Sequence, residues 1–131
     1  MLFLIPLIGC GLVALALIHA VFPKVFDWKR ELPLLSLVNR QLMTVHTFFI
    51  ALMVFLMGLL FVSSAELLLY SALGRKILWG LSFFWLARLI TQLFGYSPKL
   101  WQGKHLETLV HIVFIFLWSA MTVIFALGAM T

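Results

Sequence analysis

Four apolar runs, each close to twenty residues long, decide what this chain can fold into. They cover Leu2–Phe22, Gln41–Val62, Ile77–Ser97 and Thr108–Thr131. A helix rising about 1.5 Å per residue needs about 20 residues to cross a hydrocarbon core about 30 Å thick. Over such lengths only a helix satisfies its own backbone hydrogen bonds in lipid. The chain is 65% apolar and 10% charged, whereas soluble domains run near 45–50% and about 25%. The sequence therefore predicts an all-α polytopic membrane protein. The expected form is one transmembrane domain over residues 1–131, an up-and-down bundle of helices at about 2–22, 41–62, 77–97 and 108–131. Pro23 is expected to close the first helix, because it cannot continue the backbone ladder. The third run reaches spanning length only with Arg88 inside it.

Charge sets the expected orientation. The connection 23–40 holds Lys24, Lys29, Arg30 and Arg40, and the connection 98–107 holds Lys99 and Lys104. The connection between them in the chain, on the opposite side, has only Arg75 and Lys76, with Gly74 as its expected turn residue. The positive-inside rule then predicts an inner-membrane protein with loops 23–40 and 98–107 cytoplasmic and both termini outside. Trp101 and Tyr96 are expected at headgroup depth. A net charge of +5 spread this thinly does not track a phosphate backbone, so nucleic acid is excluded as a partner. Cys10 is the only cysteine. No intrachain disulfide or CxxCH haem attachment is possible, and Cys10 reads as a small packing residue rather than a lipidation site.

The polar residues inside the spans fall at one depth. His19 near the end of the first helix, His46 and His111 near the starts of the second and fourth, and Gln92 in the third all lie roughly 6–10 Å inside the same boundary. Arg88 is one turn deeper. Trp85, Arg88 and Gln92 share a face at 3–4 spacing, with Ser82 above. His111, Trp118 and Thr122 do the same on the fourth helix, behind Glu107. A guanidinium cannot shed its proton, and inside a bilayer it needs a counter-charge, water or a ligand. No phosphate-binding glycine loop, serine elbow or HExxH pattern is present. Whether the chain is an enzyme stays open.

The stretches Asn39-Arg40-Gln41 leading to His46, and Phe84-Trp85-Leu86-Ala87-Arg88 leading to Gln92, together with Trp101, resemble small uncharacterised bacterial four-helix integral membrane proteins. His46 and His111, on the second and fourth helices, resemble one histidine pair of the four-helix core of b-type cytochromes. That likeness implies haem b with His46 and His111 as its metal ligands. Arg88 would then face a propionate, with Gln92 and His19 as supporting donors and Trp85 stacked on the ring. The expected function is a redox or quinone-interacting membrane subunit. A three-histidine metal site of His19, His46 and His111 is a lesser expectation. The alternative is a non-catalytic accessory subunit whose Arg88 layer docks a lipid or a partner. The expected partners are the lipid bilayer and other membrane subunits or further copies of the chain.

Overall fold

The structure, a computed structural model, describes residues 2–95 and 103–130. All regular structure among them is helical, and four stretches are long and apolar enough to cross a membrane: Leu4–Lys24, Leu37–Ser63, Ala72–Gly95 and His105–Met130. The ends placed at Ser97 and Thr131, and the anchors Tyr96, Lys99 and Trp101, lie outside the described residues. The chain forms two compact units, Leu2–Ala65 and Glu66–Thr131.

The N-terminal unit packs α1 (Leu4–Ile18) against α4 (Leu37–Ser63). The buried residues of α1 are Ile5, Gly9, Leu12 and Ala16, and those of α4 are Val54, Gly58 and Phe61. Both sets follow the alternating 4–3 spacing of a single helical stripe. Where the stripes meet, the two glycines bring the backbones together. A Cβ on Gly9 would lie 2.7 Å from the Gly58 carbonyl oxygen, and one on Gly58 would lie 2.8 Å from that of Gly9. In lipid, where burial of apolar surface gives helices little reason to associate, such close approach supplies the dispersion contacts that hold them.

Pro23 does not end the first span as its chemistry suggests. The backbone tightens into a 3-10 turn at His19–Val21 and then resumes as α2 (Phe22–Val25), with Pro23 in the first turn. A proline costs nothing there, because first-turn N–H groups have no intrahelical acceptor. Asp27, in the left-handed region at φ 54°, turns the chain into α3 (Trp28–Glu31). A 3-10 turn at Leu32–Leu34 around Pro33 follows. Ser36 then caps α4 by accepting from the Asn39 N–H at 3.3 Å, so the helix begins four residues ahead of the apolar run and takes in Arg40.

The C-terminal unit packs α6 (Ala72–Ile90) against α7 (His105–Met130), with α5 (Ala65–Tyr70) leading in. Ser71 caps α6 through the Gly74 N–H at 2.9 Å. Gly74, expected in a turn, is instead buried in the first helical turn, with the Leu67 carbonyl of α5 lying against it. Arg75 and Lys76 sit exposed on that helix, which therefore starts five residues before the apolar run. Gly128 on α7 makes room for Leu69 and Leu78, both almost fully buried.

Candidate functional site

α6 ends in an unusual way. Its last turn, Thr91–Gly95, is a π-helix. Such turns are rare and gather at functional sites, because the wider ring re-aims the side chains that follow. Within this turn Gln92 is buried, at 5% exposure. Thr91 caps the last α-turn, its hydroxyl donating to the Ala87 carbonyl at 2.9 Å.

Gln92 joins the two helices of the unit. The Trp118 indole N–H donates to Gln92 Oε1 at 3.5 Å, and Gln92 Nε2 lies 2.7 Å from His111 Nδ1. The chemistry of the indole orders this chain of groups. An indole nitrogen can only donate, so the amide presents its oxygen to Trp118 and its NH2 to His111. His111 Nδ1 therefore accepts, and the neutral ring carries its proton on Nε2. Farther along, the Ser82 hydroxyl donates to the Thr122 carbonyl at 2.8 Å, and the Thr122 hydroxyl donates to the Trp118 carbonyl at 2.8 Å. Hydroxyls returned to backbone oxygens in this way leave no polar hydrogen facing apolar surroundings.

An aromatic stack runs through the same seam. Trp85 and Trp118 lie nearly parallel with centroids 4.8 Å apart, and Phe114 stacks on Trp118 at 5.3 Å. The Arg88 guanidinium lies 5.4 Å from the Trp118 centroid. A desolvated cation over an indole face is attracted by about 2 kcal/mol, more than at an exposed site. Trp85 is 2% exposed, and its indole N–H is buried with no acceptor among the described residues.

Four of the six expected site residues, Trp85, Arg88, Gln92 and His111, thus share the α6–α7 seam. The other two lie in the N-terminal unit. His19 is half-buried at the end of α1, donating from Nδ1 to the Leu15 carbonyl at 2.8 Å, with its ring 4.6 Å from that of Phe22. His46 is exposed on α4 and donates from Nδ1 to the Leu42 carbonyl at 2.8 Å. A carbonyl only accepts, so both neutral rings keep their lone pair on Nε2, the reverse of His111. Among the described residues no three His, Cys, Asp or Glu side chains gather to hold a metal ion. Sequence reading put Trp118 on the correct face of α7 but did not find its part in orienting Gln92. Its spacing of seven residues from His111 was the available signal. Against known protein families, curated proteins and solved structures, the chain has no match.

Proposed function

We propose that this is an integral protein of the cell (inner) membrane that holds the ring of a quinone in the α6–α7 seam. Its four long helices run up and down across the bilayer, with loops 23–40 and 98–107 cytoplasmic and both termini outside. The apolar surface supports the membrane reading. Phe48 on α4, Phe83 on α6 and Phe116 on α7 are each more than 60% exposed, which suits acyl chains and not water.

The observation that carries the ligand class is the buried indole N–H of Trp85. The acceptors Gln92 Oε1 and His111 Nδ1 are already taken by Trp118 and by the Gln92 amide. The Trp85 indole N–H can only donate, and it is buried with no acceptor among the described residues. A ligand suited to this buried seam brings a flat ring to continue the aromatic stack and a carbonyl oxygen to accept, and it is lipid-soluble. A quinone has all three properties.

Haem b fits these residues less well. An axial histidine must offer iron a lone pair, usually from Nε2 while Nδ1–H donates to a carbonyl. His46 has that form and His111 has the opposite one. Titrating decylubiquinone into the protein in lipid nanodiscs, with tryptophan emission as readout, tests the proposal. Saturable quenching is expected, weakened about fivefold by Trp85→Phe, which keeps the ring and deletes one neutral donor. Non-saturable quenching that is equal in both proteins would reject it. A Soret band lost in both His46→Ala and His111→Ala would favour the haem reading instead.

A further inference from the structure

A second feature lies in the N-terminal unit and takes no part in the seam. Between α2, α3, the following 3-10 turn and the start of α4 is an open groove of about 480 Å3. Its walls are Phe22, Phe26, Trp28, Leu32, Leu35 and Met43, and its one charged lining group is Glu31. Arg30 takes up that charge and a neighbouring one, lying 3.6 Å from Glu31 and 3.3 Å from Asp27. Lys24, Lys29 and Arg40 carry no ion pair among the described residues. Lys29 follows Trp28 in sequence, and Arg40 precedes Met43 by one turn of the same helix, whereas Lys24 lies two residues from both Phe22 and Phe26 and so projects from the other face of α2.

We infer that this groove seats one acyl chain of an anionic phospholipid, with Lys29 and Arg40 holding its phosphate. The inference rests on the membrane reading above and is independent of the quinone. Charge complementarity selects the occupant: an apolar trough whose lining residues Trp28 and Met43 are neighboured by Lys29 and Arg40 matches a lipid with an apolar tail and a negative headgroup. Size excludes a partner helix. A cylinder about 10 Å across would fit roughly one turn into the groove, too little to anchor it. The volume does lie within the range of small-ligand sites, about 300–1,000 Å3. The lining has almost nothing to hydrogen-bond, which suits hydrocarbon.

Phospholipids brominated on the acyl chain quench nearby indoles on contact. The protein is reconstituted in zwitterionic vesicles holding a small fraction of brominated phosphatidylglycerol or, separately, brominated phosphatidylcholine. The Trp28 contribution is taken as the difference from Trp28→Phe. The expected result is quenching by the anionic lipid at several-fold lower mole fraction than by the zwitterionic one. Arg40→Gln should reduce that preference about fivefold, as expected for one cation at an anionic surface. Met43→Phe, which narrows the groove and leaves every charge in place, should protect Trp28 from the anionic lipid. Equal quenching by the two lipids, or a preference untouched by Met43→Phe, overturns the inference, since either describes a general lipid annulus. No quenching of any tryptophan by either lipid would overturn the membrane reading as well.

Discussion

Adding one methyl group at the α1–α4 crossing should separate the helices of the N-terminal unit. In Gly58→Ala the new Cβ would lie 2.8 Å from the Gly9 carbonyl oxygen, 2.8 Å from Val13 Cγ2 and 3.0 Å from the Val13 nitrogen. Two of these atoms are backbone and cannot turn aside. Restoring ordinary contact, near 3.4 Å, requires the helices to part by about 0.6 Å. A gap of 0.5–1 Å forfeits about a quarter to a half of each dispersion contact it opens. The stripe Ile5, Leu12, Ala16, Val54 and Phe61 would feel it along its whole length. Overpacking of this kind costs about 1–3 kcal/mol, offset by up to about 1 kcal/mol from the better helix propensity of alanine. The expected net loss is about 1–2 kcal/mol. Gly11 is the internal control, because nothing lies within 4 Å of a Cβ placed there; Gly11→Ala should be neutral or slightly stabilising. Gly9→Ala clashes at the same crossing, so one displacement accommodates both methyl groups. The double variant should therefore lose less than the two single losses combined. Titration with SDS in mixed micelles, followed by Trp28 emission, measures each stability. Equal behaviour of Gly58→Ala and Gly11→Ala, or strict additivity of Gly9→Ala and Gly58→Ala, would refute the close-contact account.

Other substitutions probe the C-terminal unit. Gln92→Leu leaves the Trp118 N–H and His111 Nδ1 without their shared partner and should cost about 1–3 kcal/mol in the same titration, read from total tryptophan emission. Ser82→Ala removes one interhelical hydrogen bond to the Thr122 carbonyl, and a loss near 0.6 kcal/mol is expected, in line with such bonds in membranes. Gly74→Ala should be far more damaging than Gly80→Ala, because α5 lies against Gly74 whereas nothing lies within 4 Å of a Cβ on Gly80. Comparing the detergent thermal stabilities of those two variants checks this.

The four long helices could be read from the sequence because length and hydropathy alone decide whether a segment suits a bilayer. Their ends could not. Ser36 and Ser71 start α4 and α6 through hydrogen bonds that hydropathy does not register. Pro23 is absorbed into a first turn rather than breaking the span. For the seam, helical spacing placed Trp85, Arg88 and Gln92 on one face, and they do share it. Spacing carries no information about which nitrogen of a histidine bears the proton. That depends on Trp118, two turns along α7 from His111, and on a π-turn with no sequence signature beyond Gly95. The sequence predicts one depth for His19, His46 and His111, yet His19 and His46 each spend the Nδ1–H on the carbonyl one turn back in the same helix.

The protonation pattern of the histidine rings tests the Trp118–Gln92–His111 hydrogen-bond order of the seam most directly. In protein labelled with 15N-histidine and reconstituted in bilayers, nitrogen chemical shifts separate a protonated ring nitrogen from a bare one. His111, assigned by its loss in His111→Phe, should carry its proton on Nε2. His19 and His46 should carry theirs on Nδ1. Gln92→Leu should release His111 from that form. A His111 ring protonated on Nδ1 in the intact protein, or one unchanged by Gln92→Leu, would contradict the account.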